Sequence, residues 1–289
     1  MKIAITGASG FLGRAIADHF RKQGHTIAAV SLRQEVKPDS FLPCDAVIHL
    51  AGEPVAQRWT KAARQRIRDS RVLGTQQLVE ALRLRPPSVL VSASAIGYYG
   101  SRGNDILTED ATPAPDFLGK LAVRWEKEAF SAESFGVRVV VPRIGVVLGP
   151  GGGALKKMLL PFRLGIGGRL GNGKQWMSWI HIDDLVALIE FAITNPELSG
   201  PVNAAAPAPV TNAEFTRELA RTLHRPAIFP VPAFVLKLIF GEMSQVLLGS
   251  QRVLPEAALR AGFDFRYSDL GLALAAALGS QSTSGTPKT

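Results

Sequence analysis

Residues 2–32 read KIAITGASGFLGRAIADHFRKQGHTIAAVSL. KIAIT is a short apolar run of the kind that fills a buried parallel strand. GASGFLG follows at once. Leu12, Ile16 and Phe20 then recur at helical spacing until Gly24 and His25 end the helix, and TIAAVSL reads as a second strand. Strand, glycine turn, helix, strand is the context in which such glycines signal dinucleotide binding. In that reading Gly7 makes the tight turn, Gly10 lets backbone approach a pyrophosphate, and Gly13 lets the helix pack on the strand. The helix N-terminus offers free N–H groups and the positive end of its dipole. Ser9, Phe11 and Leu12 share this turn and are expected to line the cofactor.

The end of the second strand selects the cofactor. An acidic residue there would bind the adenosine ribose hydroxyls and favour NAD. Ser31 and Arg33 stand there instead, and Arg14 directly follows the last glycine. Arginine suits a 2′-phosphate through charge-assisted hydrogen bonds. The expectation is NADP(H), ahead of NAD.

Composition bounds the rest. The 289 residues are 46% hydrophobic and 20% charged, enough for one large α/β domain with an added lobe. The net charge of +9 comes from scattered basic residues without a long Lys/Arg run, which argues against a nucleic-acid partner. Cys44 is the single cysteine, so no intrachain disulfide forms and a reducing compartment fits. The strand-like run from Lys2 leaves no room for a signal peptide. FVLKLIF at 234–240 is too short to span a bilayer. A cytoplasmic protein is expected, with a small-molecule substrate, no nucleic-acid or membrane partner, and a disordered tail over 279–289. The oligomeric state is left open.

Further motifs carry a resemblance. TGASGFLG, DAVIHLAGEP, RVLGTQQLVEAL, VLVSASAIGYYG, DFLGKLAVRWE, RIGVVLGPGGG and WIHIDDLV follow one another in order. Together they resemble the extended short-chain dehydrogenase/reductase superfamily, within its NAD-dependent epimerase/dehydratase group. AGEP, RIRDSR, SASAIGYYG, SWIHIDD and the stretch from NAAAPAPVTNAEF to GFDFRYSDL are similar to its "epimerase family protein" branch, which has a C-terminal domain of unknown function. The resemblance covers residues 1 to about 275. It implies an Asn, Ser, Tyr and Lys catalytic group. The Tyr is the general acid/base, Lys lowers its pKa and holds the nicotinamide ribose, and Ser steadies the substrate oxygen. Matched residue by residue, Arg71 replaces Asn, Ser94 is retained, Asp116 replaces Tyr, and Lys120 is retained. Tyr98 and Tyr99 follow Ser94 closely, so either could supply a relocated phenol.

The fold expected is a Rossmann-type doubly wound parallel sheet with a smaller C-terminal substrate lobe. Apolar runs at 89–93 and 137–142 and PVNAA at 201–205 supply strands, and helices are expected near 61–83 and 117–135. Only RQEVKPDSFLPC, twelve residues, joins the second strand to HLAG. That is enough for a crossover and too short for another helix and strand, so the usual third strand should be missing and 26–32 should lie at or beside a sheet edge. Residues 1–150 with 181–212 form the expected cofactor domain, and 151–180 with 213–278 the substrate lobe. Leu50, Ala51 and Gly52 should approach the cofactor at the strand ends. Glu53 either faces the site or caps something nearby.

Three other features have plainer readings. GRLGNGK at 168–174 has P-loop spacing, but no strand precedes it and Gln175 stands where Ser/Thr belongs. It reads as a glycine-rich loop over the cleft, with Trp176 and Trp179 as pocket wall or core. Asp183 or Asp184 is expected to cap the next helix, leaving His181 a packed, hydrogen-bonded histidine. The five histidines lack paired ligand spacing, so no metal site is expected. The functional expectation is an NADP(H)-dependent oxidoreductase or nucleotide-sugar-type epimerase/dehydratase with a degenerate catalytic group. The alternative is a weakly active or inactive NADP(H)-binding sensor or scaffold.

Overall fold

A computed structural model describes residues 1–32 and 43–279. Arg33, the connection that follows it and residues 280–289 of the tail lie outside the described residues. The chain begins with β1 (Lys2–Thr6), α1 (Phe11–Lys22), β2 (Thr26–Val30), β3 (Ala46–His49) and α2 (Lys61–Leu82). It continues through β4 (Val89–Ser92), β5 (Ser94–Ala95), β6 (Ile106–Leu107), α3 (Phe117–Phe130), β7 (Arg138–Ile144) and β8 (Val146–Leu148). Next come α4 (Gly153–Arg163), β9 (Trp176–Met177), β10 (Trp179–His181), α5 (Ile182–Thr194) and β11 (Gly200–Ala204). The C-terminal part holds β12 (Val210–Thr211), α6 (Asn212–Leu223), α7 (Ala233–Phe240), α8 (Ser244–Leu248), β13 (Arg252–Val253), α9 (Glu256–Arg260) and α10 (Leu270–Leu278).

The main sheet is parallel and runs β11-β7-β4-β3-β1-β2, with β5 extending the pairing along β7. Its strands are apolar on both faces because helices cover both. Alternation divides them. Ile3 and Ile5 of β1 join Ile16 and Phe20 of α1 and Leu185 and Ile189 of α5 in one layer. Ala4 of β1 and Val139 and Val141 of β7 face the other way, against Leu78 and Leu82 of α2 and Ala129 of α3. Among the described residues β2 pairs only with β1, so the second strand is at the edge that the short connection implied.

The C-terminal helical lobe is joined to the sheet by small pairings. β13 runs parallel to β6, with Arg252 opposite Ile106. Ser101 Oγ accepts from the Ser250 backbone N–H at 3.1 Å, and Ser178 Oγ accepts from the Val253 N–H at 2.8 Å. The first holds Ser250 against the loop after β5, and the second ties Val253 to the junction of β9 and β10. The GRLGNGK loop is engaged elsewhere: Gly171 N–H donates to the Val231 carbonyl, and Leu170 bridges Val231. No described helix is long and apolar enough to cross a membrane.

α5 corrects one expectation. Its N-cap is His181, whose Nδ1 accepts from the Asp183 N–H at 3.2 Å. Asp183 and Asp184 lie in the first turn, where acids suit the dipole. The Asp184 carboxylate instead accepts the backbone N–H groups of Arg266 and Tyr267, pinning the C-terminal segment to α5. His181 packs against the Tyr267 ring at 4.0 Å between centroids, as a structural histidine should.

Candidate functional site

The carboxyl end of β1 passes through the glycine turn directly into α1. Gly7 has φ +72°, a left-handed conformation, and a Cβ there would meet the Leu50 carbonyl carbon at 2.9 Å. A Cβ on Gly13 would lie 2.2 Å from the Gly7 carbonyl oxygen. Both positions therefore demand glycine, one for conformation and close approach, one for helix–strand packing. α1 starts at Gly10 without a side-chain cap and carries no acid in its first turn. Its terminal N–H groups are left for an anion, so the cradle fits a pyrophosphate. Arg14 is exposed one turn in and donates to the Ser9 carbonyl.

The strand beside it is fixed by buried hydrogen bonds. His49 bridges Thr6 Oγ1 at 2.7 Å and Thr75 Oγ1 at 2.9 Å, and Thr6 Oγ1 also accepts from the Leu50 N–H. This holds Leu50, Ala51 and Gly52 next to the glycine turn. Burial lowers the His49 pKa from 6.5 to about 4, with the nearby Arg71 charge adding to it. The unfolded chain thus takes up this proton first as pH falls, so stability is lost between about pH 6.5 and 4 and is fully present above. The linkage amounts to ~3 kcal/mol. Denaturant unfolding at pH 7 and pH 4.5 checks this: His49→Asn should narrow the stability gap between the two, and an unchanged gap would contradict it.

A cavity of about 520 Å³ lies between β5, β7, α3 and the α7–α8 segment. The Tyr98 ring forms part of its wall. Behind Tyr98 sits the Arg143 guanidinium, 3.5 Å from the ring centroid. Arg143 is buried and donates to both Glu126 oxygens at 2.9 and 2.8 Å. Burial works against its charge, and the bonds to Glu126 overcome that, so it stays protonated. Its Nη1 also donates to Tyr99 Oη at 2.9 Å.

The structure separates residues that the sequence motifs group. Tyr99 is fully buried, donates to Asn203 Oδ1 at 2.7 Å, and burial pushes its phenol up to about 12. It is a framework residue and does not line the cavity. Ser94 turns the same way: its Oγ donates to Glu126 Oε1 at 2.7 Å, and Ala95 faces the cavity in its place. Asp116 is the N-cap of α3, accepting the Gly119 N–H at 2.8 Å. Lys120 is exposed and absent from the cavity wall. The α3 face that lines it consists of Leu118, Leu121, Ala122 and Trp125. The pairs four residues apart that face the cavity are therefore Leu118 with Ala122 and Leu121 with Trp125, and none of these side chains ionises. Asp116 reaches the cavity wall at the start of α3 and Lys120 does not, so the structure does not bring the two together there.

Arg71 does line the cavity, stacked over the Trp125 ring at 5.1 Å and donating from Nη1 to the Glu53 carbonyl at 2.9 Å. Burial lowers its pKa to about 10. The Glu53 carboxylate is held locally by Gln57 at 3.0 Å and Arg66 at 3.5 Å, with Gln57 the main cause of its lowered pKa. Trp176 and Trp179 bond Asn104 and the Ala208 carbonyl and do not wall the cavity, nor does the 168–174 loop. The aromatic wall is instead Trp59, Tyr98 and Trp125.

Glycine turn, uncapped helix and adjoining cavity define a nucleotide-cofactor protein of the oxidoreductase or epimerase class. The chain belongs to the NAD dependent epimerase/dehydratase family, which matches residues 3–205, and residues 231–277 match a domain of unknown function, DUF1731. "Epimerase family protein YfhF" of Bacillus subtilis is 39% identical over 98% of this chain and 100% of its own length. The crystal structure of human epimerase family protein SDR39U1 with NADPH superposes with TM-score 0.89 at 34% identity, covering 96% of this chain and 99% of that one. A nucleoside-diphosphate sugar epimerase from Corynebacterium glutamicum superposes with TM-score 0.81 at 34% identity, covering 96% and 58%.

Proposed function

We propose that the chain is an NADP(H)-dependent oxidoreductase or epimerase-type enzyme, with the Tyr98 hydroxyl as its general acid/base. The observation that carries the cofactor reading is the α1 N-terminus, uncapped by any side chain at the end of a turn where Gly13 has no room for a Cβ. Its N–H groups hold the pyrophosphate, and Arg14, free to swing from Ser9, meets the 2′-phosphate. When bound, the cofactor supplies hydride transfer. The chain's own part is to place a substrate in the cavity, keep water out with its apolar wall, and move a proton at Tyr98 Oη. Arg143, anchored by Glu126, positions the Tyr98 ring. NADPH in the human relative supports NADP(H) over NAD. Residues 1–150 with 181–212 form the cofactor part in this reading, since β11 completes the main sheet. Residues 151–180 with 213–278 form the smaller lobe.

The test is titration with both cofactors. NADPH should bind more tightly than NADH, and Arg14→Glu should weaken NADPH ~10–100-fold, the range of one charge-assisted hydrogen bond, while changing NADH little. Equal affinities would overturn the NADP(H) assignment. A second reading is favoured by Ala95, Leu118 and Ala122, which face the cavity without an ionisable group. They fit a cofactor-binding sensor or scaffold with little turnover. Tight NADPH binding with no NADPH consumption across a panel of carbonyl compounds would select it.

A further inference from the structure

The cavity wall carries little charge for a site that would hold a nucleotide sugar. Its polar groups are mostly committed to the protein itself. Arg71 is held by the Glu53 and Ile67 carbonyls, and Asp116 Oδ1 by the Gly119 N–H. Ser101 Oγ accepts from Ser250, Ser244 Oγ donates to the Gly241 carbonyl, and Gln251 Nε2 donates to the Ile96 carbonyl. Among the described residues, Lys237 is the cation on this wall without an ion pair or hydrogen bond in the structure. It is exposed on α7. The remaining surface is Trp59, Tyr98, Trp125, aliphatic side chains and glycine backbone, with the neutral amide of Gln245 as its one further polar side chain.

From this we infer that the cavity accepts a mainly apolar, aromatic compound with a single anionic group, its rings against Trp59, Tyr98 and Trp125 and its anion at Lys237. The inference rests on the cofactor reading above and narrows its substrate class. A nucleoside diphosphate brings two phosphates, and a buried anion must be paired or it is strongly disfavoured. One free ammonium is too few, and Asp116 on the same wall adds repulsion. A flat hydrocarbon loses nothing on entering such a wall, and the hydrophobic effect favours its transfer from water. The cavity volume is in the range of small-molecule sites, which are mostly apolar with a few placed polar groups.

The experiment is calorimetric titration of the full chain saturated with NADPH, using 2-naphthoate, its neutral analogue 2-naphthamide, and UDP-glucose. Naphthoate should bind at least ~10-fold more tightly than UDP-glucose. Lys237→Gln should weaken naphthoate ~10-fold while leaving naphthamide and NADPH affinities unchanged. Leu121→Asp should weaken both naphthalene probes. UDP-glucose binding more tightly than naphthoate would overturn the inference. So would equal effects of Lys237→Gln on naphthoate and naphthamide, or naphthoate binding indifferent to Leu121→Asp, which would place the probe on another apolar surface. Failure to bind NADPH would sink the cofactor reading instead. The naphthoate-to-UDP-glucose ratio, read on the free protein, would then decide the cavity's ligand class in the same way.

Discussion

Tyr98→Phe is expected to lower turnover by about 10²–10⁴-fold, the usual worth of a positioned general acid/base, while Lys120→Met leaves it nearly unchanged. The two substitutions separate the two ways of reading DFLGK. If the superfamily spacing held at 116 and 120, loss of the lysine ammonium would be as damaging as loss of a phenol. In the structure Lys120 points to solvent and Asp116 is occupied as a helix cap. Tyr98 lies on the cavity wall with a buried, Glu126-anchored guanidinium against its ring. A fixed positive charge thus lies against the ring that carries the proposed acid/base hydroxyl. Tyr98→Phe keeps the ring, its packing and its contact with Arg143, so NADPH affinity should not change. The assay is NADPH oxidation with 2-naphthaldehyde, a carbonyl analogue of the proposed ligand class. A large loss in Lys120→Met, with Tyr98→Phe active, would restore the family's spacing and remove Tyr98 from the chemistry. Tyr99→Phe serves as a different control. It removes a hydroxyl buried between Asn203 and Arg143, so it should lower stability more than it lowers turnover per folded molecule.

What the sequence can and cannot reveal follows from which signals are local. The alternation of Ile3, Ala4 and Ile5, the glycine spacing and the helical recurrence of Ile16 and Phe20 are short-range patterns, and each has one sheet-and-helix solution. The edge position of β2 follows from a chain length alone. Helix phase at α3 is a different matter. A four-residue spacing fits 116 and 120 as well as 118 and 122, and a retained lysine favours the first pair. A local signal does exist: an aspartate just before an apolar helix is a strong N-cap, which puts Asp116 outside the helix. Strand alternation likewise sets Ser94 and Ala95 on opposite sides, but only the buried Glu126 shows which side is which. Arg143 and Glu126 are separated by 17 residues in sequence, and Lys237 enters the cavity from a separate lobe. Such long-range juxtapositions leave no mark on spacing. Trp176 and Trp179 stand out in the sequence, and Trp59 and Trp125 do not, for the same reason: an indole's neighbours are set by tertiary packing, not by its proximity to a glycine loop.

Gly13→Val should reduce NADPH affinity by at least ~100-fold, equivalent to about 3 kcal/mol. The cause is geometric. A first side-chain carbon at 13 would lie 2.2 Å from the Gly7 carbonyl oxygen and 2.7 Å from the Ala8 α-carbon. Those atoms are backbone and cannot rotate away, so α1 must move off β1 or the turn must open. Overpacking of this kind costs ~1–3 kcal/mol or more in stability. It also shifts the Phe11–Gly13 N–H groups proposed to hold the pyrophosphate, and their dipole field falls off within one turn. Both effects act on one ligand, so affinity should fall further than stability. Gly24→Ala supplies the comparison. Gly24 has φ +82° and no atom within 4 Å of its built Cβ, so alanine there meets backbone strain but no clash. Left-handed strain of that order costs ~1–2 kcal/mol, at the far end of α1 from the phosphates. Gly24→Ala should therefore lower the melting temperature and leave NADPH affinity alone. Fluorescence titration with NADPH, alongside thermal melting of both variants, decides the matter. If Gly13→Val binds NADPH as the parent does, the phosphates do not sit on this turn, and the cofactor site must be sought elsewhere on the sheet.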